Sequence, residues 1–312
     1  MHIVIVGGGA IGTLCGVFLS RGGHEVSVVD TDPGIVEAIG QRGLGLLARE
    51  ANSPDEVLFT PARAVTNPAA IKECDLILLT VKSANTLTAM RSVSHLVGAS
   101  APVLSLQTGL GNLELMEKVV GREHILGGFT FMAATAMASG IARHGGEGKT
   151  YIGELDGDDS ERCRRIGALL TDCGIPCTVV QRVVGRLWCK VIVYSAINSL
   201  SSVLRVKNGQ LLERMESIAL MQRLLDEGQS VARAHAVDLV FANLYDVLFD
   251  ACRRTGDNLS SMLQDILNNR STEIAAQCGA LAAFGKAAGV ATPTQQTMYE
   301  LITLIEGKAS QT

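Results

Sequence analysis

The residues that most constrain this chain stand at its start, in "HIVIVGGGAIGTLCGVFLSRGG", residues 2–23. "HIVIV" reads as a strand buried on both faces, and the stretch from Ala10 reads as a helix ending on Gly22 and Gly23. Between them Gly7, Gly9 and Gly12 keep the spacing G-x-G-x-x-G. After a strand and before a helix, each glycine has its own work. The first allows a tight turn, the second lets the backbone approach a pyrophosphate, and the third lets helix pack on strand. The backbone at Gly9, Ala10 and Ile11 then offers N–H donors to an anion. Asp30 closes the next strand run, "EVSVVD", eighteen residues past Gly12. A carboxylate there accepts from the adenosine ribose hydroxyls and repels a 2′-phosphate, which favours NADH over NADPH. The same "DTDPG" also has turn character, so Asp30 alone carries only part of that reading.

Strand-like and helical runs go on alternating through "DLILLTVK" (75–82), "ANTLTAMRSVSHLV" (84–97) and "PVLSLQTG" (102–109). "TYIGELDG" and "IPCTVVQ" are weaker strand candidates. This alternation predicts a largely parallel sheet covered on both faces. From Arg182 onward strand signals disappear, and no proline occurs between Pro176 and Pro293. Helical periodicity runs through 184–203, 210–235, 239–254, 260–285 and 294–307, the fourth as one long helix. The expected architecture is an α/β Rossmann-type dinucleotide-binding domain over 1–181, followed by an all-α C-terminal domain over 182–312.

Composition narrows the function classes. With 312 residues, 47% hydrophobic, the chain can bury two cores. The net charge of −4 and scattered basic residues argue against a nucleic-acid partner. The eight cysteines include one close pair, Cys173 and Cys177, with no second pair at zinc-ligand spacing, so no metal site is expected. The first residues lack the basic start of a signal peptide, and no apolar run reads as long enough to span a membrane. A cytoplasmic enzyme is the expectation.

In "LWCKVIVYSAINSL" (187–200) Lys190 is the one charge in an apolar run. On a helix, Tyr194 and Asn198 share its face. A solvated face would carry more charge, so the stripe reads as the wall of a cleft, against the alternative of a lysine that merely snorkels to water. In "DNLSSMLQDILNNRSTEI" (257–274), Ser261, Asp265 and Thr272 or Glu273 recur at near-helical spacing. Glu273 is read as a carboxylate partner for the buried lysine.

Taken together, "GGGAIG", "TVKSANT" (80–86), "LQTGLGNLE" (106–114), "YIGELDG" (151–157), "LWCKVIVYSAINSLSSVLRVKNGQLL" (187–212), "SSMLQDILNNRSTEI" (260–274) and "GVATP" resemble the ketopantoate reductase (2-dehydropantoate 2-reductase) family along nearly the whole chain. The resemblance implies a Rossmann domain, a helical domain and an active site between them. By position, Lys190 matches the family's catalytic lysine and Glu273 its active-site glutamate, which also touches cofactor. Asn198, Asn208, Asn258 and Ser261 fall where the family binds its oxo acid. Lys82 and Ala133 fall at cofactor contacts. The implied reaction is NAD(P)H-dependent reduction of a 2-oxo acid to a D-2-hydroxy acid, first of all ketopantoate to pantoate in pantothenate biosynthesis. Hydride goes from nicotinamide C4 to the ketone carbon, and Lys190 supplies the proton.

The chain departs from the family pattern at three positions. Thr108 and Tyr194 stand where the family has asparagine, both in the region that meets substrate, and Thr108 also where cofactor is met. Thr31 stands where the family has the arginine that grips the 2′-phosphate of NADPH, which with Asp30 favours NADH. These departures leave open a relative acting on a different, bulkier 2-oxo acid. A dinucleotide-binding sensor without catalysis is the reading from another class, and retention of Lys190 and Glu273 weighs against it. The long helices could support a homodimer.

Overall fold

The computed structural model describes residues 1–47 and 56–309. They fall into two compact units, Met1–Gln107 with Asn112–Val183, and Thr108–Gly111 with Val184–Thr312. The four residues Thr108–Gly111 thus leave the first unit and pack within the second, an excursion that a single boundary near 181 does not anticipate.

In the first unit the strands are β1 (His2–Val6), β2 (Glu25–Val29), β3 (Leu44–Leu47), β4 (Val57–Thr60), β5 (Arg63–Val65), β6 (Leu76–Leu79), β7 (Val103–Ser105), β8 (Ile125–Thr130), β9 (Ala133–Ala138), β10 (Ile141–Gly146), β11 (Thr150–Glu154) and β12 (Cys177–Val179). Its helices are α1 (Ala10–Arg21), α2 (Pro33–Arg42), α3 (Thr86–Val93), α4 (Asn112–Val120) and α5 (Glu161–Asp172). The main sheet has eight strands in the order β12-β11-β8-β7-β6-β1-β2-β5. Its pairs are parallel except β8 with β11, which run antiparallel. The central strands are buried along their length, with Ile3, Val4, Ile5 and Leu76 through Leu79 all at 0% exposure. That is what strands covered on both faces by helices require, and it explains their unbroken apolar sequences.

A second, four-stranded sheet in the order β4-β3-β10-β9 was not expected from sequence. Two of its strands, "AATAMA" and "IARHGG", are rich in alanine and glycine, residues with weak strand preference, so cross-strand pairing rather than local propensity determines them. β8, "ILGGFT", escaped notice for the same reason.

The second unit is helical: α6 (Val183–Leu204), α7 (Met215–Ala234), α8 (Leu244–Arg254), α9 (Ser261–Leu267), α10 (Cys278–Ala287) and α11 (Pro293–Ala309). The long helix expected over 260–285 does not exist. α9 stops at Leu267, Asn269 takes a left-handed φ of 53°, and a 3₁₀ turn, Ile274–Ala276, precedes α10. Asparagine tolerates that conformation better than most residues, so "NNR" ends the helix. The recurrence of Ser261, Asp265 and Glu273 as one helical stripe falls with it. α8 likewise begins later than expected, capped by the Asn243 side chain accepting from Tyr245 N at 3.0 Å.

α6 corrects one further expectation. It has 22 residues and is apolar enough, by length and composition, to cross a membrane. Its residues are instead packed into the unit, with Val191, Ile192, Ala196 and Ile197 at 0% exposure. A helix apolar on nearly every side is what the centre of a helical unit needs.

Candidate active site

The glycine loop joins β1 to α1 inside the first unit. Gly7 has φ +107°, and a Cβ there would lie 2.8 Å from Val81 N, so both conformation and space demand glycine. A Cβ on Gly12 would sit 1.9 Å from Gly7 O. At Gly9 a Cβ would meet nothing within 4 Å. Its side is open, which is what close approach of a ligand phosphate calls for. Gly9 also caps α1 with no side chain on the helix end and no acid in the first turn, leaving the positive end of the helix for an anion.

Asp30 stands beside this loop. Its Oδ2 accepts from Gly8 N at 2.7 Å and its Oδ1 from Asp32 N at 2.9 Å. Each oxygen keeps a second lone pair, so the carboxylate can hold the loop and still accept from ribose hydroxyls. Thr31 is exposed next to it. Just past β6, the strand beside β1, Thr80 donates its hydroxyl to Gly7 O at 2.9 Å, and Lys82 follows two residues later. These features fit a dinucleotide. Ala133 is exposed at the start of β9, where it pairs with Gly146 in the small sheet.

Sequence reasoning passed over a buried polar network in the same unit. Gln107 Nε2 donates to Val81 O at 2.9 Å and to Thr86 Oγ1 at 2.8 Å. Thr86 donates to Asn112 Oδ1 at 2.9 Å, and Asn112 Nδ2 donates to Ser83 Oγ at 3.0 Å. Gln107 and Asn112 are the residues flanking Thr108–Gly111, so both ends of that segment are tied down by hydrogen bonds.

In the second unit α6 presents its stripe. Arg186, Lys190 and Tyr194, four residues apart, are half-buried where most of the helix is fully buried. Lys190 Nζ donates to Thr108 Oγ1 at 3.1 Å and lies 5.9 Å from the centre of the Tyr194 ring. Desolvation lowers the pKa of Lys190 to about 7 from the ordinary 10.5. Burial raises that of the Tyr194 phenol, which stays protonated at neutral pH. Asn198, a further turn along, is buried and donates from Nδ2 to Gln277 Oε1 at 3.2 Å.

Two short segments lie along this face of α6 and touch each other. Leu110 N donates to Ala276 O at 2.9 Å, joining the Thr108 segment to the turn that begins at Glu273. Gln277 N in turn donates to Glu273 O at 3.1 Å. Glu273 is half-buried just before the 3₁₀ turn. Beyond α6, Asn208 is buried; its N donates to Asn258 O at 3.0 Å and its Nδ2 to Thr255 Oγ1 at 2.9 Å. Its Oδ1 is buried and finds no donor among the described residues. Asn258 itself is exposed. Ser261 is also exposed, whereas its neighbour Ser260 is buried, accepts from Ser201 Oγ at 2.8 Å and caps α9. Gln277 and Thr255, the partners that orient the two buried asparagines, carried no sequence signal of their own.

An amine with a lowered pKa and a buried amide along the same helix, in a chain with a dinucleotide loop, are groups that carbonyl reduction could use. Comparison with known proteins identifies the family. Residues 3–157 match the family model for ketopantoate reductase PanE/ApbA, and residues 182–306 match the model for the C-terminal part of ketopantoate reductase PanE/ApbA. The chain belongs to the ketopantoate reductase family. It is therefore an NAD(P)-dependent oxidoreductase acting on CH–OH groups. Among curated members of the family, the 2-dehydropantoate 2-reductase of Pyrococcus abyssi is 30% identical, over 99% of this chain and 100% of that one. Among solved structures, the PanE/ApbA family ketopantoate reductase from Ralstonia eutropha JMP134 is 30% identical with a TM-score of 0.88, covering 99% and 100% of the two chains. A ternary structure of D-mandelate dehydrogenase with NADH and anilino(oxo)acetate is 25% identical with a TM-score of 0.91, covering 99% of each chain.

Proposed function

We propose that this ketopantoate reductase family member reduces a 2-oxo acid to its D-2-hydroxy acid with Lys190 as proton donor, and that ketopantoate is its first substrate. The observation that carries the mechanism is the Lys190 ammonium, held 3.1 Å from Thr108 Oγ1 and with its pKa lowered to about 7. The bound dinucleotide supplies the hydride to the ketone carbon. As charge builds on the carbonyl oxygen, an ammonium in a desolvated site stabilises it strongly and then delivers its proton. Thr108 and the Tyr194 ring keep the ammonium in one place. Asn198, Asn208, Asn258 and Ser261 supply neutral hydrogen bonds to the substrate, and Glu273 orients lysine and cofactor. Gly7, Gly9, Ala10, Ile11, Gly12, Lys82 and Ala133 hold the dinucleotide, with Asp30 and Thr31 favouring NADH.

A second substrate reading rests on Tyr194. Its ring beneath the ammonium offers a flat apolar wall where an asparagine would offer an amide, and such a wall suits a bulky or aromatic 2-oxo acid. The likeness to D-mandelate dehydrogenase with NADH supports the same view. Steady-state rates with ketopantoate and with aromatic 2-oxo acids, each with NADH and NADPH, decide between them. If ketopantoate is the weaker substrate, Tyr194→Asn raises its kcat/KM while lowering that of the aromatic acids. Dinucleotide binding with no turnover of any 2-oxo acid would remove the enzymatic proposal altogether.

A further inference from the structure

Glu273 lies between two helices, in a stretch with little regular structure of its own. α9 ends at Leu267, α10 begins at Cys278, and the 3₁₀ turn Ile274–Ala276 stands between them. A carboxylate can orient a neighbouring group only if its own backbone is fixed, and here individual hydrogen bonds on either side do the fixing. On the downstream side Ala276 N and Gln277 N both donate to Glu273 O at 3.1 Å. On the upstream side the anchor is Thr272. Its N donates to Glu306 Oε1 at 2.6 Å, and its hydroxyl oxygen accepts from Ile274 N at 3.1 Å. Glu306 comes from α11, thirty-four residues further along the chain.

We propose that Glu306 is a positioning residue: by holding Thr272 N it fixes where the backbone of Glu273 stands, and through Glu273 it supports reduction. The inference rests on the reading of Glu273 as the residue that orients lysine and cofactor. A carboxylate that accepts from a backbone N–H makes a bond roughly twice as strong as a neutral pair. Thr272 and Glu306 are both half-buried, so water could reach the N–H and satisfy it. What water cannot supply is a fixed direction. The contrast lies at the other end of the same helix. There Glu227 accepts from Thr294 N and Gln295 N at 2.8 Å each, two donors in the first turn of α11, where a negative charge stabilises any helix. Glu306 instead holds an N–H that belongs to no helix, one residue before Glu273.

The test measures kcat for ketopantoate and for phenylglyoxylate with saturating NADH. The proteins compared are the native enzyme, Glu306→Ala, Glu306→Gln, Glu273→Gln, and Glu306→Ala combined with Glu273→Gln. Glu306→Ala should lower kcat about 10-fold for both acids, the scale of a small misplacement of a reacting group. A loss of stability alone would lower the melting temperature and leave kcat per folded molecule unchanged. Glu306→Gln keeps an oxygen for Thr272 N and should recover most of the native kcat. In the Glu273→Gln background, Glu306→Ala should cost nothing more, because the residue it acts through is already altered. An undiminished kcat in Glu306→Ala, a Glu306→Gln as slow as Glu306→Ala, or losses that multiply in the combined variant would overturn the inference and leave Glu273 in its role. Native kcat for both acids in Glu273→Gln would instead remove the reading of Glu273, and the inference with it.

Discussion

Lys190 gives up its proton more readily than an exposed lysine because a desolvated ammonium is poorly stabilised, and that sets the direction of its pH dependence. Its pKa is lowered to about 7. With Lys190 as the proposed proton donor, reduction would need its charged form, so kcat/KM for reduction should be level below about pH 7 and fall as pH rises through it. Oxidation of the hydroxy acid needs the neutral amine and should rise across the same range. Lys190→Ala should lower kcat by at least ~10²-fold and erase that inflection, the scale expected for a positioned general acid. Rates near the native value in this variant would end its role as proton donor. The same lowering has a sign for stability. Below about pH 7 the folded protein holds an ammonium it solvates poorly, and this cost is relieved as pH climbs from 7 toward the unfolded value. Lys190, Tyr194 and Asn198 were legible in sequence because helical spacing alone puts them on one face. Gln277 was not. It stands in a segment read as continuous helix, where its side chain would have had no reason to meet Asn198.

At the level of elements, the glycine loop makes a claim that two single substitutions separate. A methyl at Gly9 enters open space, whereas a methyl at Gly12 runs into Gly7 O. Gly9→Ala should therefore fold with stability within about 1 kcal/mol of the native chain, the usual scale for a helix cap, yet bind dinucleotide far more weakly. Gly12→Ala should lose about 1–3 kcal/mol or more through overpacking of helix on strand. Denaturant melts and dinucleotide titrations of both variants check this, and tight binding by Gly9→Ala would place the pyrophosphate elsewhere. This loop was readable in advance because its three glycines, its strand and its helix agree at every level. The end of α9 was readable in principle, since "LNNRST" holds two asparagines, but helical periodicity on either side of Asn269 concealed it. The small sheet offered less. Its strands are held by partners distant in sequence, Ala142 by Leu46 and Ala136 for example, and no local pattern announces such pairing.

For the molecule as a whole, composition and alternation were enough to separate a sheet-bearing unit from a helical one, while the excursion of Thr108–Gly111 between them was not visible. Its sequence, "TGLG", has turn character and nothing that names a partner; the partner is a lysine eighty-two residues away. The choice of dinucleotide can be tested on the whole protein without any turnover. A ligand that binds only the folded state stabilises it by about 2.7 kcal/mol at a hundredfold excess over its Kd, and less in proportion to the logarithm of that excess. Because Asp30 presents a carboxylate and Thr31 no positive charge beside the loop, NADH should raise the melting temperature more than NADPH at equal concentration. Replacing both, Asp30→Ala with Thr31→Arg, removes the repulsion and adds a guanidinium suited to a phosphate. The order of the two shifts should then reverse. A native protein stabilised more by NADPH would mean that the Asp30 carboxylate, already bonded to Gly8 N and Asp32 N, serves to hold the loop rather than to read the ribose.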